Sequence, residues 1–243
     1  MRQALLVLIL CIASSAGAQV YEQVEKQARD TIEMDSVPAF ADPKYREDQF
    51  YASLSYNLIQ GKPGNYSQYS FSSGITAGFL RDMPVNKRRT YAIAAGLGYS
   101  YNNIKHNLAV AEGGSGYSVV EEGTFNKNKL VLHYLELPIE LRWRNSDSIS
   151  HKFWRIYLGF KVSYLFSSKA QFNPDGDGAT VKVKGDNNLN NIIYGAYISA
   201  GWNTWNLYAY YGITPIYDSP PITGSDQKLT MNSLNLGLIF YIL

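Results

Sequence analysis

The chain has 243 residues, 46% of them apolar and 14% aromatic, with 20 tyrosines and a formal net charge of +2. Near-neutrality gives no electrostatic case for nucleic-acid binding. The single cysteine, Cys11, falls in a leader expected to be removed, which excludes disulfides, thiolate catalysis and cysteine-metal sites from the rest.

Met1-Arg2-Gln3, an apolar run from Ala4 to Ala13, and the small residues Ser14 to Ala18 describe a cleavable secretory signal over residues 1–18. The run is too short to span a bilayer as a helix. Leu10 before Cys11 argues against lipidation. Losing Arg2 takes the formal charge from +2 to +1. Residues 19–48 are polar and mixed in charge, with Pro38 and Pro43 as breakers. They read as a periplasmic arm with room for a short helix over residues 21–32.

Residues 49–243 carry eight alternating stretches. The first, residues 49–59, puts Phe50, Leu54 and Leu58 on one face. The second, residues 69–81, uses Phe71, Ile75 and Phe79. The third, residues 90–101, uses Tyr91, Ile93, Leu97 and Tyr99 opposite Ala92, Ala94, Gly96 and Gly98. The fourth, residues 130–143, is the clearest: Val131, His133, Leu135, Leu137, Ile139, Leu141 and Trp143 alternate with Tyr134, Glu136, Glu140 and Arg142. The fifth, residues 153–167, lines up Trp154, Ile156, Leu158, Phe160, Val162, Tyr164 and Phe166. The sixth, seventh and eighth cover residues 191–202, 205–214 and 231–243.

Such long strands, apolar on one face and charged on the other, predict an all-β fold: an eight-stranded antiparallel transmembrane β-barrel with lipid outside and a filled lumen inside. The mean hydropathy of −0.21 fits, because the lumen face dilutes the lipid face. Connections alternate long (residues 60–68, 102–129, 168–190, 215–230) and short (82–89, 144–152, 203–204). Outer-membrane barrels have long external loops and short periplasmic turns, so both barrel ends are expected in the periplasm. The expected location is the outer membrane, with outer-membrane lipid as the surrounding partner.

Eight strands leave a lumen that side chains fill. Glycines (Gly78, Gly98, Gly159, Gly195) make room there for Tyr157, Tyr197, Tyr208 and Tyr210. Glu136, Glu140 and Arg142 face Arg155 and Lys161 from the neighbouring strand, and unpaired charges in such a lumen are costly. We read this cluster as a structural plug; the alternative is a narrow conduit lined by the same charges.

Signals for chemistry are weak. His106, His133 and His151 lack metal-ligand spacing. Leu135, not a serine, follows His133 on its face, which speaks against a lipid-hydrolase triad. Residues 173–178 match half of an EF-hand loop, but Lys184 replaces the twelfth-position Glu. Residues 82–89 read as a solvated basic turn, with partner or headgroup contact as the alternative. No enzyme, cofactor or metal is expected.

The tract Leu132-His133-Tyr134-Leu135-Glu136-Leu137-Pro138-Ile139-Glu140-Leu141-Arg142-Trp143 resembles the Tyr-Leu-Glu-hydrophobic-Pro strand of the PorT-like outer-membrane barrels of Bacteroidota. Residues 78–84 and 237–241 look similar to the same group. The resemblance implies a closed outer-membrane barrel and, for some relatives, a part in type IX protein secretion and gliding, with other secretion-machinery proteins as partners. It supplies no active-site residues. The expected function is therefore a non-enzymatic accessory or structural component of that export route. The alternatives are a small porin-like transport or ligand-binding barrel and, third, a lipid-modifying enzyme.

Overall fold

The computed structural model describes residues 48–86, 88–114, 116–145, 154–176 and 178–242. The expected signal, almost all of the expected arm, Cys11 and His151 lie outside the described residues.

Among the described residues eleven strands form, in chain order β1 (Gln49–Gln60), β2 (Ser73–Pro84), β3 (Tyr91–Lys105), β4 (Leu108–Val110), β5 (Tyr117–Val119), β6 (Phe125–Arg144), β7 (Trp154–Pro174), β8 (Val181–Lys184), β9 (Ile192–Trp202), β10 (Trp205–Gly212) and β11 (Asn232–Ile242). Eight of them close a ring. Going round, β1 pairs with β2, β2 with β3, β3 with β6, β6 with β7, β7 with β9, β9 with β10, β10 with β11, and β11 returns to β1. Every junction is antiparallel, and Leu54 faces both Ile75 and Leu238 where the first and last strands meet. Closure leaves none of the eight ring strands with an open edge, which a lipid-facing backbone requires.

Alternation sorts the side chains. Leu137, Ile139 and Leu141 on β6 are 55%, 54% and 59% exposed, whereas Glu136, Glu140 and Arg142 between them are 4%, 0% and 2% exposed. The same pattern runs round the ring through Phe50, Phe79, Leu97, Leu158, Ile198, Leu207 and Leu236. Lipid covers that belt, which is why a one-sidedly apolar sheet is stable here.

Several boundaries differ from the sequence reading, β3 for one running to Lys105 rather than residue 101. β2 starts at Ser73 rather than residue 69 and runs on to Pro84. Tyr69 is engaged elsewhere, its hydroxyl exchanging hydrogen bonds with the Asn128 backbone at 2.5 and 2.8 Å. Asp82, expected in a turn, is drawn into the lumen by arginines and keeps the strand going. β6 begins at Phe125 and β7 extends to Pro174, well past the expected ends. A β-bulge hides this extension: His133 faces Ser167 but Tyr134 faces Leu165, so Phe166 and Ser167 both point outward and the alternation changes phase. The loops over residues 102–129 and 168–190 also carry strands of their own, the β4–β5 hairpin and β8 on the edge of β7.

Candidate functional site

The lower half of the lumen is an ionic plug. Glu136, Glu140 and Arg142 come from β6, and Arg155 and Lys161 from β7, all in inward phase. Lys161 Nζ donates to both Glu136 carboxylate oxygens at 2.9 Å and to the Tyr208 hydroxyl at 3.3 Å. Arg142 Nε donates to Glu140 at 2.7 Å, and Arg142 Nη1 donates to Asp82 at 3.0 Å. Arg144 grips Asp82 with two parallel bonds of 3.0 and 2.9 Å, and its Nε donates to the Arg89 carbonyl at 3.0 Å. Bidentate pairing of this kind is the strong geometry for buried charges.

Tyrosines fill what the charges leave. The Tyr197 hydroxyl donates to Glu140 at 2.8 Å, and the Arg142 guanidinium lies 4.7 Å from the Tyr157 ring centre. Arg155 sits 5.6 Å from the Tyr241 ring. The rings reach the centre because glycines face them: a Cβ on Gly159 would come within 2.1 Å of the Tyr197 ring, and one on Gly195 within 2.3 Å of the Tyr210 ring. Next to Lys161 a cavity of about 30 Å³ remains, and a neighbouring one measures about 10 Å³. That is room for a water or two.

The five residues singled out from the sequence thus share one buried cluster. Sequence reading missed Asp82 and Arg144, both fully buried. Their signal was present: Arg144 continues the even-numbered phase of Glu140 and Arg142, and Asp82 that of Gly78 and Leu80. Reading charged residues at a strand end as the start of a turn concealed them.

The upper half is closed by an apolar cap, which periodicity did not announce. Ile59, Leu108, Val110, Leu132, Leu189, Ile216, Leu229 and Met231 are buried together where the strand tops meet the long loops. Asparagines lace the loops to one another. Asn107 Oδ1 accepts from Ser67 N at 2.7 Å while its amide donates to the Asn65 and Val120 carbonyls at 2.9 Å. Asn190 donates to the Pro215 and Tyr217 carbonyls at 3.0 and 3.1 Å. Gly64 N donates to Gln227 at 3.0 Å, tying the first loop to the last. His106 is buried in the cap and stacked on Tyr66, with Nδ1 accepting from Leu108 N at 3.0 Å. Burial pushes its imidazole down to about 4, which keeps it neutral.

The remaining sequence signals stay apart. His133 points outward beside Tyr99, whose hydroxyl lies 2.7 Å from Nδ1. Asp175 of the EF-hand-like stretch accepts from Asn126 and Gly176, both at 3.1 Å, and Lys184 stands in β8, away from it. Among the described residues no three His, Cys, Asp or Glu side chains gather as a metal site.

Residues 23–218 match the family described as outer membrane protein beta-barrel domain. No curated protein matches the chain. Among solved structures it is similar to Ail, the attachment invasion locus protein of Yersinia pestis, in complex with the heparin analogue sucrose octasulfate. That pair is 13% identical over 80% of this chain and 99% of the other, with a TM-score of 0.33.

Proposed function

The chain belongs to the outer membrane protein β-barrel domain family, and on that premise we propose that it works as a sealed, non-enzymatic barrel, an accessory component of type IX protein export. It acts by contact, through its loop cap and the periplasmic arm that follows a cleaved leader. As a family member it sits in outer-membrane lipid.

What carries the reading is the double filling of the lumen. The Asp82–Arg142–Arg144 and Glu136–Lys161 pairs occupy one half and the apolar cap the other. A conduit needs charges that exchange with water and ions; these are bound to one another, and the space beside them fits a water or two. A barrel of this kind offers partners its rims rather than its bore. The link to type IX export in particular rests on the resemblance of residues 132–143 to the PorT-like strand.

Deleting the gene tests the role directly. The expected outcome is loss of secretion of proteins bearing the export-type C-terminal domain, with export components recovered in a mild-detergent pull-down of the barrel. Unchanged secretion would remove the export role. A steady single-channel conductance in planar bilayers, abolished by Glu140→Ala, would favour the transport barrel, and labelling by a serine-reactive probe would favour the enzyme.

A further inference from the structure

Above the apolar belt, the outward wall of the barrel carries a group of lysines that neither the seal nor a contact role in export uses. Lys105 of β3 stands opposite Lys129 of β6, Lys129 opposite Gln171 of β7, and Gln171 opposite Lys182 of β8. Two positions nearer the membrane, Asn103, Val131, Lys169 and Lys184 form a second such row. Directly opposed residues project to the same face of a sheet. The row between them, Ile104, Leu130, Ala170 and Val183, is buried in the cap, so the flanking rows face the opposite side of the sheet; there Val131 is covered, Lys105, Lys129 and Lys169 are half-buried, and Lys182 and Lys184 are exposed.

This arrangement is electrostatically incomplete. Lys105, Lys127 and Lys169 all repel Lys129. Like charges placed directly opposite across strands are destabilising. Neither row contains a carboxylate, and among the described residues the ion pairs engage none of Lys105, Lys127, Lys129, Lys169, Lys182 or Lys184. The wall is complementary to an anion that the described residues of these rows do not supply.

We propose that this face of β3, β6, β7 and β8 is a docking site for a phosphorylated lipid headgroup of the outer leaflet. Its height selects lipid over a soluble polyanion. From Trp143 to His133 the outward face of β6 climbs ten residues, about 33 Å along the strand and about 25 Å at a tilt of about 40°, the height of the apolar band of an outer-membrane barrel. Tyr99, Tyr101, His133 and Phe166 cluster at that upper edge, where aromatic girdles sit. Lys169 and Lys184 lie about 5 Å beyond this line and Lys129 about 10 Å beyond, within reach of headgroup phosphates by side chains that bend along their own stems. Cations at this height attract anionic lipid.

The test uses the full chain folded in neutral detergent micelles and titrated with bisphosphorylated lipid A, with lipid A stripped of its phosphates as the control. Bound lipid is read by native mass spectrometry and folding by the heat-dependent shift in gel migration. The phosphorylated lipid is expected to be retained and to raise the thermal midpoint by several degrees, while the stripped lipid does neither. Lys129→Gln with Lys169→Gln is expected to weaken lipid binding about tenfold yet leave the lipid-free barrel at least as stable, because it relieves the repulsion. Equal retention of both lipids, or unaltered affinity in the double variant, overturns the proposal. So does a soluble sulfated polysaccharide that binds the same lysines as tightly as the lipid.

Discussion

The two halves of the lumen close by opposite means. Below, charged side chains from within the strands meet across the bore, and Asp82, Glu136, Glu140, Arg142, Arg144 and Lys161 are held by partners of opposite sign, while Arg155 lies against the Tyr157 and Tyr241 rings. Above, loop residues bury aliphatic surface around Leu132 and Leu229, and asparagines tie the backbone. The lower plug is specific and brittle: each ion depends on a named partner, and removing one strands the other. The cap is graded, because many small contacts share its stability and a local loss stays local.

That contrast gives the largest expected effect to Asp82→Ala. It leaves the Arg142 and Arg144 guanidinium groups facing each other without their shared carboxylate, and the barrel should lose about 4 kcal/mol in denaturant unfolding from micelles. A loss below about 1 kcal/mol would mean that Glu140 suffices for both arginines and that the plug is less brittle than described. In the cap, Leu229→Ala removes a fully buried side chain. It should cost about 3 kcal/mol, read as faster hydrogen exchange in the loops with the strands unchanged. If the strands loosen equally, the two halves are one cooperative unit.

A pH scan separates the halves next. His106 is neutral in the folded cap because burial holds its imidazole at about 4, against an ordinary value near 6.5. Above pH about 6.5 both folded and unfolded forms are neutral and there is no effect. Below it the unfolded form takes up the proton first, so cap stability falls until pH about 4. Between pH 6.5 and 5 the loss is about 2 kcal/mol in loop exchange rates, and His106→Gln should flatten the profile. A flat profile in the unsubstituted chain would place His106 in contact with water. The smallest effect is Gln227→Ala, which removes the exposed bond from Gly64 N. About 0.5 kcal/mol of extra opening in the first loop is expected, with no change in barrel melting.

The plug was largely legible in the sequence and the cap was not. Glu136, Glu140, Arg142, Arg155 and Lys161 were visible because a period of two places them on one face, and neighbouring strands bring them together. Asp82 and Arg144 obey the same period but stand at strand ends, where charge usually marks a turn. The bulge at Phe166 shifts the phase, so the upward extension of β7 did not show. Asn107 and Asn190 carry no periodic signal at all. Their partners lie in loops, and polar loop residues look alike until folding selects which carbonyls they meet.

By itself, then, the sequence determined what is local and periodic: eight stretches of alternating strand, the face each gives to lipid, the small residues that let tyrosines enter the bore, and the charges that must be buried inside it. Where each strand begins and ends, which residues stand opposite one another, that Arg142 and Arg144 share Asp82, and that four loops fold into a lid were decided only in three dimensions. The reason is physical. Alternation is dictated by backbone geometry within a few residues, whereas register, ion-pair partners and loop packing depend on contacts between segments far apart in the chain.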